Sequence, residues 1–570
     1  MIKRNLIISA FVLFSLLPVN AQVTKQETGL KREVTLYNPY KPSLPEVKKR
    51  SFLPDMNDTM KVRPEFLYEI RTKPFLPAYT LKPIKAVSLV PDPLPKLYKS
   101  FVNIGFGNYI TPLAEISITN ERSKKGTIGL YGRHFSTNGK VELQNEKKVF
   151  AGYMDNDASL FGRKFFRKNL FESSVDFSQK TRFAYGYDTS VTNYSPAKKD
   201  IRRGYYNIGA KASLSSLKLD PTSFTYDFDI FYNFFSTYGN LYQHNAGIKG
   251  IMVKSYKGFN LGSGIDYEFF KHSDSLFNKS GFGIVSISPF IKKSTERWSF
   301  KLGFQALLDE YLGSSAVFHI YPDVNLSLNL VPSFVSFFAG LSGKLEKNDP
   351  MKIFSENPYL RSEGYLFTLQ NTDHKLIVSS GFKGNIGLRG NYLASVTYSL
   401  FNNMLFYYNV DYPFMSMMGN YFDQMFDDGE LLKIHGEIGG NINEKISFTG
   451  KGNWYKYTLT ENSLAWNKPD WDANLGLKYN LRDKILVGME LTGIGRRTLG
   501  VVNADFFMNP PVYKFETPVH INLNLSAEYR YSRLVSFWAK FDNITYNRYY
   551  EWAFYPSQRF LCMLGFTYSL

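Results

Sequence analysis

Hydrophobic and polar residues alternate with a period of two over much of the chain. Across 519–531 the odd positions are Val519, Ile521, Leu523, Leu525, Ala527, Tyr529 and Tyr531, and the even ones are His520, Asn522, Asn524, Ser526, Glu528 and Arg530. A helix repeats its faces every 3.6 residues and cannot produce this, whereas successive strand side chains point to opposite faces. The same parity runs through Leu432, Ile434, Gly436, Ile438, Gly440 and Ile442, through 471–481, through Ile446, Phe448, Gly450, Gly452 and Trp454, and through Leu302, Phe304, Ala306 and Leu308. Each predicted strand has one oily face and one wet face.

A β-sandwich predicts the same alternation with its oily face turned inward. Length and aromatic placement favour a barrel. Many segments run roughly 10 to 14 residues, against about 5 to 6 for ordinary strands. Aromatics gather at segment ends, as in Trp454-Tyr455-Lys456-Tyr457 and Tyr549-Tyr550-Glu551-Trp552, which suits a membrane-interface belt. From Lys96 onward there are about 22 to 24 such segments, and the even-number habit of bacterial barrels selects 22. The reading is all-β, a large antiparallel transmembrane β-barrel over 96–570. The turn-rich stretches 184–200, 348–373, 404–430 and 499–517 are predicted extracellular loops, and Asn480-Leu481-Arg482-Asp483-Lys484 a periplasmic turn.

Composition agrees. The chain holds 40 tyrosines and 49 phenylalanines, yet only 44% of its residues are hydrophobic, the mixture that alternating strands create. After the N-terminus no stretch reaches the roughly 18 to 20 apolar residues of a spanning helix. At the start, Lys3 and Arg4 precede an apolar run from Leu6 to Leu17 and small residues at Val19-Asn20-Ala21. That is the form of a secretory leader, residues 1–21, and no cysteine follows to carry a lipid. Residues 22–95 contain prolines at 39, 42, 45, 54, 64, 74, 77, 83, 91, 93 and 95 among hydrophobes such as Phe52, Leu53, Phe66 and Phe75. They are expected to be extended and to fill or cap the periplasmic mouth. The single cysteine, Cys562, excludes an intramolecular disulfide framework and a cysteine-based metal site. A net charge of +18 calls for anionic partners. For an exported chain these are lipopolysaccharide phosphates or acidic solutes, and not nucleic acid.

Near the C-terminus, Phe541-Asp542-Asn543-Ile544, Asn547-Arg548-Tyr549-Tyr550-Glu551-Trp552 and Tyr555-Pro556-Ser557-Gln558-Arg559-Phe560 resemble the final hairpin of TonB-dependent receptors. Asn357-Pro358-Tyr359-Leu360, Asn371-Thr372-Asp373 and Lys468-Pro469-Asp470-Trp471 are similar to barrel segments of Bacteroidota members of that family. Gly565, Phe566, Tyr568 and Leu570 resemble the terminal signal read by the barrel-assembly machinery, with leucine where phenylalanine is usual. Glu33-Val34-Thr35-Leu36 faintly resembles the energy-coupling box. The resemblance implies an outer-membrane location, lipid and lipopolysaccharide as surroundings, and transport as a function. It also implies a plug domain, for which the proline-rich segment is too short. A plugless barrel is expected to be a channel or a partner-gated transporter, or alternatively a structural or assembly subunit of an outer-membrane complex with a protein partner.

Chemistry is sparse. The seven histidines show no metal-ligand spacing, and no cofactor is expected. Asp423, Asp427, Asp428 and Glu430 form a carboxylate-rich stretch that could attract calcium if it is a flexible loop. His134-Phe135-Ser136-Thr137-Asn138-Gly139 is similar to the H-x-S-N-G stretch of outer-membrane phospholipases. His134 and Ser136 share a strand face, so the imidazole could deprotonate the hydroxyl for attack on a lipid ester. The asparagine comes one place late and no neighbouring segment shows an orienting group. A non-enzymatic protein is the expectation, with an outer-membrane phospholipase as a remote alternative.

Overall fold

The computed structural model describes residues 98–570 apart from 121–122, 144–145, 187–195, 218–223, 274–279, 312–315, 361–368, 412–420, 462–463 and 504–511. The expected leader, the proline-rich segment and Glu33-Val34-Thr35-Leu36 lie outside the described residues. The rest is a closed antiparallel barrel of 22 strands. The wall opens with Ser100–Gly107, four residues later than expected, and ends with Leu561–Ser569. No helix among the described residues is long and apolar enough to cross a membrane.

The parity seen in the sequence sorts the two faces of the wall. Ile128, Leu302, Phe318 and Leu564 are each more than half exposed on the outside, as lipid-facing residues must be. Trp454 is also outward and exposed, in keeping with an interface belt. Tyr549-Tyr550-Glu551-Trp552 is not part of that belt. Trp552 is buried among loop residues, and the Tyr549 ring lies 3.9 Å from that of His520.

One end of the barrel carries tight turns, such as 166–168, 257–258, 387–389 and 482–484, and both ends of the wall. In the last of these turns Arg482 and Asp483 take positive φ. The Asn480 side chain holds the Asp483 backbone amide at 2.8 Å. The other end carries the long connections, which marks it as extracellular. Connections were expected at 184–200 and 348–373 and are found there, the second bearing a short helix, Pro350–Glu356. The expected loop at 404–430 is instead a continuation of two strands, Gly390–Asp411 and Tyr421–Asn441, which pair beyond the rim. Phe406 and Tyr408 lie on one face and Tyr407 on the other, so both faces carry aromatics and no period of two marks the extension. The expected loop at 499–517 holds the hairpin Arg497–Asn503 and Val512–Thr517, whose first strand pairs in parallel with residues 409–411.

Closure is made by the first and last strands. Gly105 faces Gly565, Ile104 faces Phe566 and Val102 faces Tyr568. Ser100 and Leu570 exchange backbone hydrogen bonds of 2.9 Å in both directions. On the lumen side the Trp538 indole lies across Gly105 and Gly565, where a Cβ at either position would collide with it. Its Nε1 donates to Asn103 Oδ1 at 2.6 Å, and Asn103 Nδ2 donates to Glu115 Oε2 at 2.7 Å. Outward, Leu564, Phe566 and Leu570 are exposed while Met563 is buried, which is the even and odd division of the closing strand. Cys562 is half-buried on the outward parity.

Two outcomes follow for the seam. Gly565→Val should displace the indole and reduce the fraction of protein that migrates as the compact, heat-modifiable form on electrophoresis. Trp538→Ala should cost about 3–5 kcal/mol, read as a lower denaturant midpoint.

Candidate functional site: a charged lumen beneath a loop cap

The inner wall is lined by ion pairs between adjacent strands. Arg182 holds Asp155 through two nitrogens, at 2.6 and 3.3 Å. Arg133 lies 3.1 Å from Glu115, Arg163 2.6 Å from Glu172 and Lys211 2.8 Å from Asp229. Glu268 receives Lys249 and Lys347 at 2.7 and 2.6 Å, Lys301 pairs with Asp323, and Glu346 receives Lys352 and, at 3.2 Å, His374. The water-exposed pairs among these contribute only about 0–1 kcal/mol each, whereas buried Glu268 depends on both of its lysines to offset its desolvation. The significance of the pairs lies in the fixed, alternating field they present to whatever enters the lumen.

Above this ring the extracellular connections converge. Val141, Leu143 and Val149 of the hairpin Lys140–Glu142 and Lys148–Phe150 join Tyr185, Leu241, Ile353, Phe354, Tyr359, Leu405, Phe422, Leu499, Trp552 and Tyr555 in one buried cluster. The Tyr359 and Tyr555 rings stack at 3.8 Å, Tyr185 meets Tyr555 edge-on at 5.0 Å, and Trp552 meets Phe422 at 5.2 Å. These rings come from connections on widely separated strands, so their contacts bridge the mouth.

The last connection, 543–560, is the centre of this cap and contains most of the family-like residues. Asp542 ends the penultimate strand, Val535–Asp542. Asn543, at positive φ, is buried and donates through Nδ2 to the Asn547 carbonyl at 2.8 Å. The Arg548 guanidinium reaches the Glu142 carbonyl. Tyr550 offers its carbonyl to Arg497, and Pro556 accepts the Tyr185 hydroxyl at 2.9 Å. Arg559 lies over the Tyr546 ring at 4.9 Å, and the Phe560 carbonyl accepts Asn108 Nδ2 at 2.9 Å. The stretch joins the final hairpin of the wall, Val535–Asp542 against Leu561–Ser569, and within it Tyr550–Trp552 pairs with Tyr555–Pro556 as a small hairpin of its own. Sequence reading missed Arg497, which ties three connections together by also donating to the Glu551 carbonyl at 3.1 Å and to Asn467 Oδ1 at 3.3 Å. Its only signal was the Arg496-Arg497 pair at the edge of a stretch read as a loop.

The acids at 423–430 sit on a strand, where alternation sends Asp423 and Asp427 to one face and Asp428 and Glu430 to the other. Asp427 accepts the Glu461 amide at 3.2 Å and Asp428 the Asn403 amide at 2.8 Å. Among the described residues no group of three or more His, Cys, Asp or Glu side chains converges as a metal site. A calcium-dependent rise in melting temperature would be needed to place the ion there.

His134 and Ser136 lie on the outer face, near the extracellular end of the third strand, Gly126–Thr137. His134 Nε2 is 3.1 Å from Ser136 Oγ, and Nδ1 is 2.6 Å from Asn156 Oδ1 on the adjacent strand, Tyr153–Phe165. The orienting group that no segment revealed is thus supplied by strand register, which sets His134 directly opposite Asn156.

A closed 22-stranded barrel with an apolar exterior, a charged lumen and elaborate extracellular loops belongs to the class of outer-membrane barrels. No protein-family model and no curated protein sequence matches the chain. Among solved structures it is similar to the FrpB iron transporter from Neisseria meningitidis (TM-score 0.64, 10% identity, 84% of this chain and 82% of that one). It is similar to the copper transporter OprC (0.62, 12%, 84% and 81%). It also resembles the pyoverdine receptor FpvA from Pseudomonas aeruginosa (0.59, 11%, 84% and 79%). At these identities the likeness is one of fold, shared with outer-membrane receptors and transporters.

Burial, and then the neighbouring phenols, push the Tyr185 hydroxyl well above its ordinary value of 10.0, and burial raises Tyr359 as well. A raised phenol favours the folded cap fully below that value and loses its contribution as pH rises beyond it. Tyrosinate absorbance should show a late-titrating component that shrinks in Tyr185→Phe and Tyr359→Phe.

Proposed function

We propose that this chain is the barrel of an outer-membrane transport system and acts as a partner-gated transporter. The observation that carries the reading is the combination of a charged inner wall with a cross-mouth aromatic cap built from its own loops. A static pore has no need of a cap whose members are tied to one another through Arg497, Tyr185 and Tyr555. The likeness of fold to outer-membrane receptors and transporters supports the same class of activity. In this reading the barrel works without a plug of its own, and residues 22–95 or a periplasmic partner close the other mouth.

Planar-bilayer recording tests it. The full-length mature chain should conduct little, and Tyr555→Ala, which removes the ring at the centre of the cap, should increase the open probability severalfold while the barrel stays heat-modifiable. Deleting residues 22–95 should raise conductance further. A large, steady conductance from the intact chain would mark an ungated pore. Silence in every variant, together with a stably co-purifying outer-membrane protein, would favour an assembly subunit.

A further inference from the structure

We propose that the outer wall carries a second, independent function: Ser136, His134 and Asn156 form a nucleophile, base and orienting group that cleave the acyl esters of membrane lipids. The sequence alone offered a histidine and a serine two residues apart. The structure adds a continuous hydrogen-bond chain across three strands and the turn beyond. Ser136 Oγ is 3.1 Å from His134 Nε2, and His134 Nδ1 is 2.6 Å from Asn156 Oδ1. Asn156 Nδ2 donates to Gln179 Oε1 at 2.9 Å, and Gln179 Nε2 donates to Tyr238 Oη at 2.9 Å. With the Asn156 carbonyl oxygen turned to Nδ1, as it stands here, the proton sits on Nδ1 and the Nε2 lone pair faces the serine hydroxyl, the tautomer a general base requires.

Location sets the substrate. On this face the third strand is oily at Ile128 and Leu130 and polar at His134 and Ser136. The fourth changes from Leu160 to Asn156, and the fifth from Val175 and Phe177 to Gln179. Gln179, Asn156 and His134 face one another in register, so all three strands switch at one level. From Ile128 to Ser136 is eight residues, roughly 20 Å along the normal at about 3.3 Å per residue and a tilt near 40°. The row therefore stands near the upper edge of an apolar band about 25 Å tall, at the depth of the ester linkages in the outer leaflet. Polar side chains facing hydrocarbon are costly unless bonded, and this row is bonded end to end. Acyl chains would lie on the exposed Ile116, Leu130 and Leu160 below it, while Arg202, with its guanidinium 4.8 Å from the Tyr238 ring, offers a cation to a headgroup phosphate.

In the reaction Ser136 Oγ bonds to the ester carbonyl carbon as its proton passes to His134 Nε2, giving a tetrahedral oxyanion. Collapse breaks the ester C–O bond, and the alcohol leaves with that proton. Water, deprotonated by the same nitrogen, then releases the fatty acid and restores the serine. Asn138, next on the same parity and exposed, donates one amide hydrogen to the Ile110 carbonyl at 3.3 Å and has a second for the oxyanion. Ester and water become acid and alcohol with no change of oxidation state.

The test is labelling of the full-length protein in detergent by a fluorophosphonate probe, with the site located by mass spectrometry. Fatty-acid release from phosphatidylethanolamine micelles and from lipopolysaccharide is measured in parallel. Ser136 should be labelled, and release from either lipid, which identifies the source, should fall by about 10²–10⁴-fold in His134→Ala and vanish in Ser136→Ala. Asn156 is a positioning residue: Asn156→Asp, which keeps the acceptor, should retain labelling with a shifted pH profile, and Asn156→Leu should lose it. Each variant is confirmed as a folded barrel by heat-modifiability. Absence of label at Ser136, or release that persists in Ser136→Ala, overturns the proposal, and neither result bears on conductance.

Discussion

Everything in this protein depends on pairing the backbone of the first strand with that of the last. Inside a bilayer an unpaired amide or carbonyl costs several kcal/mol, so an open sheet edge cannot persist there. The mutual hydrogen bonds of Ser100 and Leu570 and the register from Phe101 to Gly107 remove that edge. Facing glycines at 105 and 565 let the indole of Trp538 lie flat over the seam from the lumen, and its bond to Asn103 links the seam to the first of the lumenal ion pairs through Glu115. The closing residues thus begin the chemistry of the interior.

Once the wall is closed, strand alternation gives it two environments with opposite demands. The lumen is wet, so carboxylates and cations can line it at small cost, and their pairing contributes little to stability. The exterior is oily, where a polar group must be fully partnered. The interior pairs are accordingly many and separate, whereas the outer chain from Ser136 to Tyr238 is continuous.

The cap follows a third logic. Its connections leave the bilayer and meet water, so they bury their rings against one another as a small soluble core. The connection 543–560 carries the hydrogen bonds that bring hairpin 140–150, Tyr185 and Arg497 to the centre of the mouth. Residues that mark the family resemblance, Asn543, Arg548 and Pro556 among them, act here as ties between loops.

The period of two in segments such as 519–531 determined the fold class, the outward face and, with the even-number rule, the size of the barrel, because lipid on one side and water on the other impose alternation on every strand. It also determined the closing strand, whose exposed and buried positions were readable from Leu564 and Met563. It failed at 404–430 and 499–517, where strands continue beyond the membrane and neither solvent nor lipid enforces a pattern that differs from a loop. It also could not show that Asn156 stands opposite His134, that Arg497 meets Tyr550, or that side chains from seven connections share one core. Those are matters of register and of contacts between residues far apart in the chain, and a register is fixed only when neighbouring strands hydrogen-bond and the barrel closes.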